Sequence, residues 1–192
     1  MRTRRAGIVL ATAAVVVGTV GAIDAVAAAE APGMLKAKDV GLKQVSAPHS
    51  STVVAYDLVG EDCVAGQAVE HEARVASFAK GGARLNEVVY SFPSKAAASK
   101  FFVEMLAEDQ ARTDCGQTGK ATILSLKQVP KGVGTKRFTV VSDETVNGVD
   151  TRTRDVHVLA GKEVVELLFL NWGDAQPSVA AVAGKALARL DG

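Results

Sequence analysis

The chain has 192 residues and is almost balanced in charge, with 22 Lys and Arg against 21 Asp and Glu, and 3 His. Arg2, Arg4 and Arg5 stand at its head, so the remainder is slightly acidic. That excludes the clustered basic surface with which a nucleic-acid binder displaces counterions.

The first segment has the three parts of an export signal. Arg2, Arg4 and Arg5 form a positive n-region, Ala6 to Ile23 is uncharged and apolar, and small residues follow at Ala25-Val26-Ala27 and Ala27-Ala28-Ala29. Either triplet fits an A-x-A-like peptidase site. A retained anchor is the competing reading, because a spanning helix needs about 17–25 residues. The Gly and Ala content, the closing Asp24 and the small-residue site favour cleavage. No Cys stands at the cleavage site to carry a lipid, and the residues flanking Arg4-Arg5 do not fit a twin-arginine signal. The expected organisation is a signal peptide over 1–29, a short leader over 30–34 and one extracytoplasmic domain over 35–192, with no membrane span after cleavage. The domain is large enough for its own core.

Two cysteines, Cys63 and Cys115, fall in the exported part. Outside the cytoplasm an even pair reads as a disulfide. Closing a loop of this size constrains the unfolded chain by about 4 kcal/mol in the entropy model. The pair has neither C-x-x-C spacing nor nearby histidines, so a metal or redox site is disfavoured.

In chain order, Leu35 to Val45 reads as one or two helical turns around Leu35, Val40 and Leu42. Pro48 to Thr52 reads as a polar connection, and the stretch to Cys63 is ambiguous between strand and helix. Glu70 to Ala79 and Arg84 to Phe92 read as strands paired across Gly81-Gly82. Ser94 is placed to cap a helix from Lys95 to Arg112, whose Ala98, Phe101, Phe102, Met105, Leu106 and Asp109 recur at helical spacing. Strands are expected at Thr122–Val129, Lys136–Ser142, Thr151–Ala160 and Glu163–Leu170, with turns at Asn147-Gly148 and Gly161-Lys162. A terminal helix follows Pro177, with Val179, Val182, Ala183, Ala186, Leu187 and Leu190 on one face. The expected fold is α+β: a mostly antiparallel sheet covered on one face by two amphipathic helices, with a single disulfide.

A two-residue loop at Gly161-Lys162 sets a register. Ala160 opposes Glu163, Val158 opposes Val165 and Val156 opposes Leu167, giving one apolar face with Phe169. On the other face His157 opposes Glu166, with Asp155 and Thr153 farther along and Leu159, Val164, Leu168 and Leu170 between. Such a mixture is unusual for a solvated surface and marks a ligand-binding cleft or a docking face. His157, Glu166, Asp155, Arg152, Arg154 and Trp172 are the candidate ligand-binding residues. Their plain alternatives are a stabilising cross-strand pair, solubilising arginines on an edge strand and a tryptophan capping the core. On the binding reading, His157→Ala leaves the fold intact and weakens binding. Metal binding would need a third ligand from His49, His71 or a distant carboxylate. No catalytic motif of the G-x-S-x-G, H-E-x-x-H or phosphate-loop type is present, so no catalytic residue, cofactor or metal is expected, and a hydrolase is the minor alternative.

The strand Val88-Val89-Tyr90-Ser91-Phe92, the helix opening Ser94-Lys95-Ala96-Ala97-Ala98, the pair Phe101-Phe102 and the exit Cys115-Gly116 resemble the PknH-type extracellular sensor domain of actinobacteria. Leu35 to Gly41 and Cys63 are similar too. The resemblance implies a sheet packed with helices, a groove on the sheet, and binding of an extracellular ligand. Two departures stand out: neither a kinase nor an anchor segment is present, and there is one cysteine pair where the kinase ectodomain is expected to hold two. The expected function is therefore a secreted sensor-like module for a small molecule, glycan or envelope fragment. The alternative is a protein–protein interaction domain of the cell envelope.

Overall fold

The computed structural model describes residues 33–115, 122–124, 136–146, 149–173 and 176–190, with the side chains of Ala65, 122–124, 136–146 and 149–151 excepted. The segment read as an export signal and the turn expected at Asn147-Gly148 lie outside the described residues, as does most of the strand expected at Thr122–Val129. Ten elements follow one another: α1 (Ala37–Val40), β1 (Lys43–Val59), β2 (Ala65–Lys80), β3 (Ala83–Ser91), α2 (Lys95–Asp114), β4 (Thr122–Leu124), β5 (Lys136–Val146), β6 (Val149–Ala160), β7 (Glu163–Leu170) and α3 (Val179–Leu190). The strands form one antiparallel sheet in the order β1-β2-β3-β7-β6-β5-β4.

Local chemistry sets the hairpins. Gly81 and Gly82 both take positive φ, 59° and 89°, as a type I′ turn requires, and Lys80 faces Ala83 across them. At Gly161-Lys162 only the glycine is left-handed (φ 63°), which suits type II′. Every residue pair expected across that turn is present, including His157 opposite Glu166. Ser94 caps α2, its Oγ accepting from the Ala97 N–H at 3.1 Å.

The α+β class, the antiparallel sheet and the disulfide are as expected. The helices differ in one respect from the expectation of a single covered face: they pack on opposite faces. Odd residues of β3 and β7 and even residues of β6 carry Leu85, Val89, Val165, Leu167, Phe169, Val156 and Val158 toward α3. The alternate set carries Tyr90, Val164 and Leu159 toward Ala98, Phe101, Phe102 and Met105 of α2. The reason is that both faces of β3, β6 and β7 are apolar at their centres. A sheet apolar on both faces needs cover on both.

The Pro48 region is no connection. β1 runs through it as a single strand, with a register irregularity between Ser46 and His49. Because β1 is the sheet edge, a residue without an N–H is tolerated at such a bulge. Pairing of β2 with β3 starts at Ala73, so residues 52–59 and 65–72 project past β3 as a two-stranded ribbon. Met34, placed by sequence in a flexible leader, is 2% exposed and part of the α3-side core.

Candidate functional site

The six candidate residues fall on two sides of the sheet. His157, Asp155 and Glu166 project under α2. Arg154 stands opposite Phe169 and Arg152 two residues before it, on the face that carries α3. Both arginines sit on β6, an interior strand between β7 and β5 rather than the edge strand assumed from sequence. Trp172 packs against the α3-side core, edge-on to Phe169 at 4.8 Å, and its Nε1–H donates to the Pro177 carbonyl at 2.9 Å. It thereby fixes the entry to α3, the capping role that was its plain alternative.

Under α2 the geometry is concentrated. His157 is 2% exposed. Its Nε2 lies 3.2 Å from Asp155 Oδ2 on its own strand and 3.6 Å from Asp109 Oδ2 on α2. Glu166 stands opposite on β7 and accepts the Tyr90 O–H at 2.8 Å. Burial alone would lower the basicity of His157, but Asp155, Glu166 and Asp109 around it overcome that and raise its pKa to about 9. Burial pushes Asp109 up to about 6 against the pull of His157. Glu166 is raised by burial and by Asp155, and Tyr90 by burial and Glu166. A buried imidazole is here ringed by three half-buried carboxyls, an arrangement that gains less stability than apolar packing of the same volume.

Asp109 and Tyr90 complete this cluster and were not among the candidates. The signal for Asp109 was present, since it continues the Phe101, Phe102, Met105 stripe of α2 and a carboxylate in an apolar stripe must meet a partner. Tyr90 read only as an aromatic strand residue. His71, considered as a third metal ligand, instead stacks on Phe92 at 4.9 Å, and His49 is exposed with Nδ1 2.9 Å from the Ala47 carbonyl oxygen. Among the described residues no group of three or more His, Cys, Asp or Glu converges as a metal site.

The burial of His157 argues against the expectation that His157→Ala leaves the fold intact. Removing the imidazole strands Asp155 and Asp109 together, and breaking a buried ion pair costs about 3 kcal/mol.

Around the cluster, α2 is fastened to the ribbon. Cys63 and Cys115 are bridged, with Cα atoms 5.3 Å apart. The Val59 N–H donates to Glu108 Oε2 at 2.9 Å and the Tyr56 O–H to Glu104 Oε2 at 3.4 Å. The opposite face has a buried carboxyl of its own. Glu87 is fully buried, accepts the Leu35 N–H at 2.8 Å, and is pushed by burial up to about 7. Nearby, Asp39 on α1 accepts from Arg189 Nε and Nη2 at 2.9 and 2.6 Å. Burial works against ionised Asp39, yet the Lys36 N–H and Arg189 hold its pKa below the usual value.

Fold and site together define a disulfide-clamped α+β domain with a polar seam buried between a helix and its sheet. No family model and no curated protein matches the chain. Among solved structures it is similar to the extracellular domain of PknH from Mycobacterium tuberculosis, at 16% identity and a TM-score of 0.41. The likeness covers 64% of this chain and 64% of that one, so under two thirds of either is compared. It is a partial likeness of fold, too slight to carry family or function.

Proposed function

We propose that the chain is a secreted, extracytoplasmic, sensor-like binding module without catalytic activity, and that its working part is the seam where α2 covers His157, Asp155 and Glu166. The observation that carries this reading is the seam itself: three half-buried carboxyls gathered around a buried imidazole and a buried phenol, with Asp109 supplied by the covering helix. A domain selected only for stability would fill that space with apolar side chains. The export-type head of the sequence and the bridge support the location. The near-complete burial of His157 puts it out of a substrate's reach, a poor position for a general base. A small molecule, glycan or envelope fragment that parts α2 from the sheet is the expected partner.

A second reading, docking of an envelope protein, rests on Val54, Leu58 and Val64 of the ribbon and its tip, which are 51%, 42% and 60% exposed. A thermal-shift panel of muramyl peptides, envelope disaccharides and polyamines separates the two. A true ligand at a hundred times its Kd stabilises the fold by about 2.7 kcal/mol. The binding reading expects such a shift with one class of compound and its loss in Asp155→Asn. No shift with any of them, together with a mass change on envelope extract that Leu58→Asp abolishes, replaces it with the docking reading.

A further inference from the structure

We propose that the seam is a proton-operated latch: while His157 carries its proton between Asp155 and Asp109, α2 and the β1–β2 ribbon stay docked on the sheet, and loss of that proton releases helix and ribbon together. This deepens the reading of the seam as the working part, but it needs no ligand for its test.

The geometry supplies both halves of the device. The first half is the latch. A single imidazole nitrogen meets two carboxylates from two elements, at 3.2 Å and 3.6 Å. A neutral ring can offer one N–H from that nitrogen, to one acceptor, and would leave the other carboxylate repelled by its neighbour. The cationic ring has no second hydrogen on that nitrogen either, but its positive charge attracts both carboxylates at once and offsets their mutual repulsion. The second half is the moving body. Apart from the latch, the polar and covalent ties of α2 described above run to the ribbon and its tip: Tyr56 with Glu104, Val59 with Glu108, and Cys63 with Cys115. Among the described residues the ribbon pairs only within itself, because β3 takes up β2 no earlier than Ala73. Helix and ribbon therefore share one set of fastenings, and among the described residues α2 meets β6 and β7 through apolar packing together with the latch.

The groups facing His157 come from every neighbouring element. Asp155 lies on β6, Glu166 on β7 and Tyr90 on β3, while α2 presents Asp109 with Glu108 and Arg112 beside it. On β5 the residues in register with His157 and Asp155 are Phe138 and Val140, and the nearest titratable ones are Lys136 and Arg137, opposite Leu159 and Val158. The signs agree. His157, with a pKa raised from 6.5 to about 9, contributes stability that is complete below pH 6.5 and lost as pH rises through 9. Asp109, raised from 3.8 to about 6, also binds more protons when folded, and its contribution fades from pH 3.8 to about 6. Raised Glu166 acts in the same direction.

The test is hydrogen exchange on the oxidised full chain between pH 5.5 and 9.5, corrected for the intrinsic pH dependence of exchange. Protection of residues 101–114 and 53–72 is expected to fall together by at least about tenfold between pH 6.5 and 9, while α3 keeps its protection. A flat profile, an equal fall in α3, or a fall in α2 without the ribbon overturns the proposal. Asp109→Asn removes one of the two carboxylates that hold the proton, so the midpoint moves to lower pH; an unmoved midpoint also overturns it. Should that variant not fold, Glu87→Gln serves in its place. It deletes the raised carboxyl of the opposite face and must leave the α2 profile unchanged, and a profile abolished by it would assign the titration to the wrong face.

Discussion

The two faces of the sheet are built by different means. On the α3 side, a large apolar cluster including Phe78, Leu85, Leu167 and Phe169 sits under a helix whose entry is fixed by Trp172 and whose end is paired to α1 by Asp39 and Arg189. On the α2 side a smaller, aromatic cluster shares its space with His157, Asp155, Asp109, Glu166 and Tyr90, and the helix is secured by a disulfide to a ribbon. One face gains stability from apolar area, roughly 25 cal/mol per Å² buried. The other gives up part of that gain to house ionisable groups and recovers it through a covalent tie. The contrast suggests a division of labour, with a rigid side that carries the fold and a side that responds to its surroundings.

The comparison can be broken at its strongest point first. Phe169→Ala empties a fully buried site beneath α3 and is expected to cost about 4 kcal/mol in denaturant unfolding. A loss under about 1 kcal/mol would mean the α3 side is not the rigid one. The double change Cys63→Ser and Cys115→Ser is expected to cost somewhat less, up to about 4 kcal/mol in the entropy model. It should also raise proteolysis within residues 53–72 before any cut appears near α3, since the bridge fastens the ribbon and not the sheet centre. Cutting on both sides at once would merge the two regions into one. The smallest effect is Ser94→Ala, which deprives the Ala97 N–H of its acceptor and should lower stability by about 1 kcal/mol. Its effect on hydrogen exchange should be confined to the first turn of α2.

Much of the fold was legible because its causes are local. A glycine that accepts positive φ closes a two-residue turn, and the period of two then assigns every side chain of β6 and β7 to a face. In this way His157 and Glu166 were placed opposite one another from sequence. The class and the bridge followed in the same manner, from strand periodicity, two amphipathic stripes and an even cysteine pair behind a head that reads as an export signal. Where the reading diverged, the deciding fact was long-range. Pro48 ends a strand by every local rule, yet it sits inside β1 because that strand turned out to be the edge. Arg152 and Arg154 were assigned to an edge that belongs elsewhere in the strand order.

The sequence by itself determined α2, α3, the central strands, the register of β6 with β7 and the identity of the polar residues on one face of that pair. Turn chemistry and side-chain period act over a few residues and need no knowledge of the rest. Only the tertiary structure decided which helix covers which face. That choice, made by apolar surface on both sides of the sheet, set Asp109 against His157 across 48 residues of chain, from position 109 to position 157. It turned a cross-strand pair into a buried, proton-holding seam, because the cost and the charge of an imidazole depend on what closes over it.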